Sequence, residues 1–193
     1  MARKKEFDEE ELLEKAVNLF WNKGYFATSA QDLVDGLGIS RSSLYSTYTD
    51  KRTLFTKSLK RYQDKQTRAV LTMLNNAADI PAVIKDIFDG IIKDSMMDDL
   101  RKGCFMVNTA VELSSHDPEI KELVNLNNKS VIDALTNAIK RGQVAGQINS
   151  ESDAPAIALF IFNTISGLRV SARAGAGEKS LQDIAKVTLQ SLR

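Results

Sequence analysis

The sequence is poor in the residues that build disulfides and metal centres. Its 193 residues include one cysteine, Cys104, and one histidine, His116. A single cysteine excludes an internal disulfide and a cysteine-rich zinc site, and one histidine leaves little from which to build a metal centre. We therefore expect neither a bound metal nor a cofactor.

The sequence also lacks alternating apolar and polar runs separated by turn dipeptides. Such runs are typical of β-hairpins, and their absence predicts an all-α fold. No apolar segment follows Met1, because the start of the chain is rich in charged side chains. We therefore expect neither a secretion signal nor a membrane anchor, and a cytoplasmic protein.

Charge is nearly balanced overall, with a net charge of +1, so composition alone does not indicate a nucleic-acid partner. The distribution is uneven: residues 1–68 hold 13 basic and 10 acidic side chains, and residues 69–193 hold 13 and 15. The excess is strongest in residues 41–68, and a short basic arm occupies residues 3–5. Both features favour binding to phosphates, although a solvated helix surface and a solubilising tail explain them equally well.

Residues 28–51 have the pattern of two short helices joined by a tight turn. Ser29 is suited to N-cap the first helix, Gly38 to end it, and Ser40 to cap the second. The second helix carries short polar or basic side chains on the face opposite Leu44. A helix pair of this shape can place its second helix in the major groove of DNA, but it also occurs as a purely structural unit in helical bundles.

Many positions in the first third of the chain follow one motif at fixed spacing. They are Phe20, Gly24, Tyr25, Thr28 and Ser29, then Gly38, Ile39 and Ser40, then Ser43, Leu44, Tyr45, Tyr48, Asp50, Lys51, Leu54 and Phe55. This motif resembles the N-terminal signature of the TetR family of transcriptional regulators. Residues 103–113 are similar to a segment of the ligand domain in one branch of that family. The resemblance implies a dimeric DNA-binding regulator.

Residues at the helix pair are the predicted DNA contacts: Ser29, Gln31, Arg41, Ser42, Ser43, Tyr45, Ser46, Thr47 and Lys51. Arg41 is the best candidate for reading guanine, because its guanidinium can bind O6 and N7 together. Ser42, Ser46 and Thr47 are suited to base edges or thymine methyl groups. Lys51 begins the next helix, where the helix dipole already favours phosphate. The partner predicted for these residues is an inverted-repeat, double-stranded operator.

A long helix is predicted to start after Asp50 and to run to Leu71 or Leu74, with no proline or glycine inside it. At about 1.5 Å per residue such a helix spans more than 30 Å. We expect it to join a helix-turn-helix DNA-binding domain, residues 1–62, to a ligand-binding and dimerisation domain, residues 63–193. A continuous helix would let changes in the second domain re-aim the first.

The second domain is predicted to be a helical bundle that also forms a dimer. Apolar residues at helical spacing fill residues 82–97, 104–113 and 120–139. Residues 154–172 are apolar on almost every side, and their length falls short of a membrane span, so we expect a buried helix. Together with the amphipathic residues 181–192, this helix predicts a homodimer through an intermolecular four-helix bundle.

An effector pocket is expected among apolar and polar residues of this domain: Phe88, Phe105, Met106, Asn108, Thr109, Glu112, Phe160 and Asn163. Small-molecule sites between helices are mostly apolar with a few polar groups, although each of these residues is also a candidate for plain core packing. Asn108 and Glu112 stand out, because burying them without partners is costly. Pairing with Lys or Arg of a neighbouring helix is the alternative.

Cys104 is a candidate redox or electrophile sensor, because Arg101, Lys102 and a helix start beside it would lower the pKa of its thiol. A buried, inert cysteine is the alternative. An enzyme using Cys104 or His116 lacks a paired base, a metal set and a phosphate loop, so we do not expect catalysis. The sequence favours a dimeric repressor that a small molecule releases from its operator, with a helical interaction module as the remaining alternative.

Overall fold

The computed structural model describes residues 8–98 and 101–192, and the predicted basic arm at residues 3–5 lies outside them. Every regular element in the described ranges is helical, which confirms the all-α prediction. In chain order the helices are α1 (Glu9–Lys23), α2 (Ala30–Leu37), α3 (Arg41–Tyr48), α4 (Lys51–Tyr62), a π-helical turn (Gln63–Thr67), α5 (Arg68–Asn76), α6 (Ile80–Met97), α7 (Phe105–Leu113), α8 (Pro118–Val144), α9 (Ala154–Arg173) and α10 (Glu178–Gln190).

The ends of the first three helices are set by the capping residues that the sequence predicts. Asp8 accepts a backbone N–H at the start of α1. Ser29 and Asp32 form a reciprocal capping box at the start of α2, and Gly38 ends that helix with a left-handed φ of 68°. The Ser40 side chain caps α3. Local hydrogen bonds therefore fix the turn between α2 and α3, and with it the position of the second helix.

The predicted long helix after Asp50 is interrupted, although it contains no proline or glycine. The chain stays helical through α4 and α5, but Gln63–Thr67 form a π-helical turn between them. Thr67 Oγ1 donates to Asn127 Oδ1 of α8 at 2.8 Å, so a tertiary contact braces this turn. Turns of this kind rotate the following side chains relative to a regular α-helix and are frequent at functional sites. The predicted boundary between residues 62 and 63 falls where the turn begins, and the division into two domains stays a prediction.

Two hydrophobic cores organise the described chain, and the first unites the head with part of the body. We call α1–α4 the head and α5–α10 the body. The first core contains the buried side chains of the head together with Cys104, Phe105, Met106, Leu113, Ile120 and Val124. Phe105 of α7 packs edge-on against Phe55 of α4, with ring centroids 5.5 Å apart. The second core holds α5, α6, α9, α10 and the later turns of α8. Helix α7 is therefore packed into the head.

Helix α9 is long enough to span a membrane, contrary to the expectation from sequence. It has 20 residues, and an 18-residue window within it has a mean hydropathy of 1.3, so by length and composition it reaches what a membrane-spanning helix needs. In the structure one face of α9, with Ala158, Ile161, Ile165 and Leu168, is buried in the second core. Packing against the body therefore accounts for the apolar character of that face, as predicted.

The other faces of the last two helices remain uncovered in a single protomer. Their large exposed apolar side chains are Leu159, Phe160 and Val170 of α9 with Ile184 and Val187 of α10. The exposed fraction of Val187 is 63%. Two neighbouring helices that expose apolar groups are typical of a protein–protein interface.

Candidate DNA-binding and effector sites

Helix α3 presents the predicted recognition residues on its outer face. Arg41, Ser42 and Ser46 are exposed, whereas Leu44 and Tyr48 anchor the helix in the first core. Tyr48 is therefore a core residue. The helix has eight residues, so a single apolar stripe holds it and leaves the rest of its surface available to a partner.

The side chains on this face hold one another in place. The Arg41 guanidinium carbon lies 5.8 Å from the centre of the Tyr45 ring. Ser40 Oγ is 2.9 Å from the hydroxyls of both Ser42 and Ser43. Ser43, Tyr45 and Thr47 are half-buried at the edges of the face. At the start of α2, Ser29 is engaged in its capping box and Gln31 donates to Asp35 at 2.8 Å. The structure thus brings the predicted α3 residues onto one surface.

Lys51 is less available to phosphate than we expected from its position at a helix start. Its ammonium group donates to the carbonyl oxygens of Tyr25 at 2.8 Å and Thr28 at 2.7 Å, and it lies 4.4 Å from the centre of the Tyr25 ring. Burial lowers the pKa of Lys51, and the nearby Glu112 carboxylate opposes that shift. Two of the three N–H donors of Lys51 therefore hold the loop between α1 and α2.

We expect Lys51→Ala to destabilise the fold, by about 1–3 kcal/mol of unfolding free energy, because it leaves two partly buried carbonyl groups without their donor. Urea denaturation followed by the fluorescence of the single tryptophan measures this. Lys60→Ala is the matched control, because Lys60 is exposed on the same helix. An equal effect of the two substitutions would contradict the structural role of Lys51.

The basic excess of residues 41–68 is largely compensated in the folded chain. Arg52, Lys57, Arg61, Lys65 and Arg68 all form ion pairs with carboxylates. The acidic partners of Arg61 belong to the first turns of α1. Charge counted along the sequence therefore overstates the positive field of the head, and Arg41 keeps its charge on the α3 surface without an acidic partner among the described residues.

Glu112 connects α7 to the backbone of the head. Its carboxylate accepts the backbone N–H groups of Tyr25 at 3.0 Å and Phe26 at 2.8 Å. Gly24 makes room for this contact, because a Cβ atom there would lie 2.9 Å from the Glu112 carboxylate, and its φ of 86° also favours glycine. Glu112 thus satisfies loop amides directly before α2.

A second link joins the start of α4 to the start of α8. Arg52 donates to both carboxylate oxygens of Asp117, at 2.8 and 3.1 Å, and to Glu119 at 2.7 Å. The Arg52 hydrogen bonds hold the pKa of Asp117 down at about 2. Bidentate arginine–carboxylate pairs fix orientation as well as distance. Together with Glu112, this ion pair ties the head to the body at two points.

The structure does not bring the predicted effector residues together. Phe88 is in the second core and Phe105 in the first. Asn108 donates to the carbonyl oxygen of Lys102 at 2.8 Å, and Thr109 is buried with no hydrogen-bond partner for its hydroxyl. Phe160 and Asn163 are exposed on α9, and Glu112 faces the head. The reason is tertiary packing: Phe105 and Glu112 of α7 contact the head, whereas Phe88 lies in the core of the body. Met106 lines a small cavity together with Cys104.

Two adjoining cavities lie between the head and the body. The larger cavity has a volume of about 370 Å³. Its walls come from α1, α4 and the π-helical turn, the end of α6, residues 98 and 101–103, and α9. The smaller, of about 60 Å³, lies deeper and includes Cys104 and Met106 in its wall. Both share Tyr62, Gln66 and Arg169. A volume of 300–1,000 Å³ is typical of small-molecule sites, so the larger cavity has the size of an effector site.

Arg169, and neither Arg101 nor Lys102, supplies the positive charge beside Cys104. Arg169 Nη1 lies 2.9 Å from the sulfur, and the Tyr62 hydroxyl donates to it at 3.7 Å. Burial opposes ionisation of the thiol, but the Arg169 charge, a backbone N–H and these side-chain hydrogen bonds outweigh it and lower the pKa of Cys104. Burial and the neighbouring sulfur raise the pKa of Tyr62, which therefore stays a hydrogen-bond donor.

Sequence reasoning missed Trp21, Tyr62 and Arg169 as cavity residues. Trp21 lines the larger cavity, with its ring centroid 5.0 Å from that of Tyr62. Arg169 is a lone basic residue within an almost wholly apolar run, and that isolation was the available signal, since a charge in such a position needs a partner.

A capped helix pair with an exposed polar second helix, packed on a helical body that encloses a cavity, is the architecture of a DNA-binding regulator. Comparison with known proteins agrees. Residues 12–57 match the family described as "Bacterial regulatory proteins, tetR family", and residues 82–187 match "Tetracyclin repressor-like, C-terminal domain". The chain belongs to the TetR family of transcriptional regulators, in which the C-terminal domain is the dimerisation and effector-binding region.

Individual relatives cover nearly the whole chain. The uncharacterized HTH-type transcriptional regulator YezE of Bacillus subtilis is 34% identical over 100% of both chains. The HTH-type transcriptional repressor ComR of Escherichia coli is 32% identical over 98% of this chain and 90% of its own. Among solved structures, a cysteine mutant of the TetR family regulator CifR in complex with 26-bp operator DNA has a TM-score of 0.88 at 21% identity, over 100% of both chains.

Proposed function

We propose that this regulator is a homodimeric, cytoplasmic repressor that binds an inverted-repeat operator and is released from it by a small-molecule effector. The observation that carries the proposal is the exposed polar face of α3, held by its caps in a chain 32% identical to the repressor ComR. The fold shared with CifR, which was solved with operator DNA, supports the same conclusion. The chain acts by binding and not by turnover.

The dimer forms through the uncovered faces of α9 and α10. Their exposed apolar side chains, among them Phe160 and Val187, have no cover within one protomer. Pairing these helices across a two-fold axis gives a four-helix bundle and buries them. The two α3 helices then face successive major grooves, about 34–36 Å apart or a multiple of that distance.

Selection of bound sequences from random DNA tests the operator. We expect an inverted repeat whose half-site spacing fits two recognition helices. Fluorescence anisotropy at two salt concentrations then separates specific from non-specific binding, because non-specific affinity comes almost wholly from phosphate contacts and falls steeply with salt. Recovery of only asymmetric sites would exclude the two-fold arrangement.

Arg41→Gln is expected to relax sequence preference at one base pair of each half-site. The Arg41 guanidinium reads guanine, and its loss removes about 1–3 kcal/mol of discrimination at that position. Repeating the selection with the variant measures this. Lys60→Gln is the control, since Lys60 is exposed outside α3, and its selected sequence should be unchanged. An identical selected sequence for Arg41→Gln and the wild type would remove Arg41 from base reading.

The other α3 residues position the helix on the operator. Ser42, Ser46 and Thr47 contact base edges or thymine methyl groups, and Ser43 and the Tyr45 hydroxyl contact phosphates. Ser29 and Gln31 contact the backbone at the start of α2. Two of the three N–H donors of Lys51 bind carbonyl oxygens, so only the third is available for a phosphate.

Release requires that the effector favour a body conformation in which the two heads no longer fit the operator. The effector can shift this equilibrium only by the difference between its binding free energies for the two conformations. The structure offers two couplings, both from the body to the base of the head: Glu112 to the loop before α2, and Asp117 with Glu119 to Arg52. The larger cavity adjoins the head through Trp21 and Tyr62. An effector there would contact α1 and α9 together.

A second candidate function is electrophile sensing through Cys104, and the specific observation in its favour is the Arg169 guanidinium 2.9 Å from the sulfur. Addition of the thiolate to an electron-poor carbon–carbon double bond would form a carbon–sulfur bond and break the π bond, whose electron pair takes up a proton from water. The addition would remove the negative charge that faces Arg169 and place new bulk in the wall of the smaller cavity. Both changes occur beside α7, which carries Glu112.

The thiol chemistry has a defined pH dependence. Because its folded-state pKa is lowered, Cys104 should react with iodoacetamide at lower pH than an ordinary thiol, and Arg169→Gln should move the rate profile to higher pH. The interaction of the Cys104 thiolate with Arg169 also stabilises the fold. This contribution is fully present above the ordinary thiol pKa and is lost as the pH falls through the lowered pKa. Arg101→Gln is the control and should leave the profile in place. Unchanged DNA affinity after complete alkylation would exclude sensing.

A further inference from the structure

We infer that the 370 Å³ cavity binds a small organic carboxylate with a flat apolar body, and that this carboxylate is the effector. The inference rests on the proposed function and names the chemical class of the ligand. Three independent features of the cavity support it: the charge of its wall, its aromatic surface and its position across the junction of head and body.

The wall of the cavity carries an excess of positive charge. Its cationic side chains are Arg101, Lys102, Arg169 and Arg173. Two carboxylates also line it, but Asp98 is already engaged with Lys102, accepting its backbone N–H at 2.7 Å. In the described part of the chain, neither Asp94 nor any other carboxylate forms an ion pair with the three arginines. Cys104 and Asp94 offset part of the Arg169 charge. The four cationic side chains of the wall still outnumber its two carboxylates, which favours an anion, and the planar guanidinium fork suits a carboxylate.

The remaining donors of the arginines are partly oriented by the protein itself. Arg173 donates to the carbonyl oxygen of Lys102 at 2.6 Å, and Arg169 donates to Cys104. Each guanidinium has five N–H donors, so both keep donors for a ligand. Held side chains lose less conformational entropy when they bind, which favours affinity.

Trp21 supplies the second feature. Its ring lines the cavity beside the ring of Tyr62, with the ring centroids 5.0 Å apart. The rings of Trp21 and Tyr62, with Ile91 beside them, give the cavity an apolar wall that an inorganic anion would leave unused. The body of the ligand is therefore apolar and flat.

The position of the cavity explains how such a ligand acts. Trp21 belongs to α1 of the head, whereas Arg169 and Arg173 belong to α9, the helix that also carries the uncovered dimer face. A carboxylate held by the arginines with its apolar body against Trp21 would fix the distance between α1 and α9. Fixing the distance between α1 and α9 would in turn change the spacing of the two heads in a dimer.

Arg169 also couples the cavity to Cys104. A carboxylate bound at Arg169 places negative charge near the sulfur and draws on the same guanidinium, so it disfavours the thiolate. Binding of the carboxylate should therefore slow alkylation of Cys104 at neutral pH. By reciprocity, alkylation should strengthen binding of the carboxylate.

Intrinsic fluorescence provides a direct test, because Trp21 is the only tryptophan in the chain. We would titrate the full-length protein with benzoate, phenylacetate and 3-phenylpropionate, and with the neutral amide of each as its matched control. At least one acid should give a saturable change that its amide gives only at about tenfold higher concentration or more. The same acid should slow alkylation of Cys104 by iodoacetamide.

Two variants then locate the site. Arg101→Gln and Arg173→Gln should each weaken binding of that acid about tenfold, whereas Lys140→Gln, at an exposed position on α8, should leave it unchanged. Among the described residues the Arg101 side chain forms neither a hydrogen bond nor an ion pair, so we expect its substitution to leave the fold intact. Equal responses to acids and amides, no saturable response to any of the three acids, or equal affinities of all the variants would each overturn the inference.

Anisotropy with operator DNA separates this inference from the proposed function. A carboxylate that binds in the cavity and releases DNA supports both. If it binds in the cavity and leaves DNA affinity unchanged, the cavity chemistry stands, but the carboxylate is not the effector and that part of the inference fails. Absence of sequence-specific DNA binding in the ligand-free protein would instead defeat the proposed function.

Discussion

Val187→Glu should convert the protein to a monomer and reduce its affinity for an inverted-repeat operator about a hundredfold or more. Val187 lies on α10 with 63% of its surface exposed, beside the exposed apolar groups of α9. In a dimer this side chain would be buried at the bundle interface, where an unpaired carboxylate is costly. Once the protomers separate, the second head no longer binds at the high effective concentration that dimerisation provides, a gain of about 10²–10⁴ in affinity.

Val144→Glu is the matched control for this substitution. Val144 ends α8 with 92% of its surface exposed, and it lies outside both α9 and α10. The same change in chemistry there should leave the protein dimeric. Sedimentation or light scattering gives the oligomeric state, and anisotropy with a full operator and with a single half-site gives the affinity. A Val187→Glu protein that remains dimeric and binds the full operator normally would contradict the proposed interface.

The helices and their caps were predictable from sequence because each depends on a few neighbouring residues. Asp8, Ser29, Ser40 and Gly38 act through hydrogen bonds or backbone conformations within four residues of themselves, so the local pattern contains their cause. The same holds for Leu44 and Tyr48, whose spacing of four places them on the buried face of α3.

The cavity was not predictable in this way because its residues come from four separate parts of the chain. Trp21, Tyr62 and Arg169 meet only through the packing of α1, α4 and α9, and no single periodic pattern contains them. The π-helical turn at Gln63–Thr67 has the same origin, since its sequence contains no helix breaker. The role of Glu112 was inaccessible for the reverse reason: its partners are backbone amides, which leave no mark in the sequence.

Charge counted along the sequence was the least reliable predictor of the binding surfaces. The basic residues between 52 and 68 suggest a surface for phosphate, but in the folded head most of them face carboxylates of α1 and α8. A count along the sequence assigns each charge to solvent, whereas folding pairs it with an opposite charge distant in sequence. A charge count also overlooks Arg169, which is a single charged residue in an apolar run. In the structure Arg169 lowers the pKa of the Cys104 thiol and lines the cavity.

Glu112→Gln should weaken both the fold and DNA binding, with an expected loss of about 1–3 kcal/mol of unfolding free energy. The native carboxylate accepts two backbone N–H groups of the loop before α2. A glutamine offers only one oxygen, and its amide nitrogen would face the second N–H as another donor. The loop that sets the approach of α2 and α3 would then be held by α7 at one point in place of two, so operator affinity should fall as well.

Glu122→Gln, at an exposed position on α8, is the matched control for this substitution and should change neither quantity. Gly24→Ala tests the same contact from the other side, because its Cβ would lie 2.9 Å from the Glu112 carboxylate in addition to the strain of a positive φ. Substitutions that remove one interaction are not additive, so Gly24→Ala should cost less in a Glu112→Gln background than in the wild type. Strict additivity, or a Glu112→Gln protein as stable as the Glu122→Gln control, would show that the carboxylate does not hold the head. Urea denaturation monitored by Trp21 fluorescence measures the complete cycle.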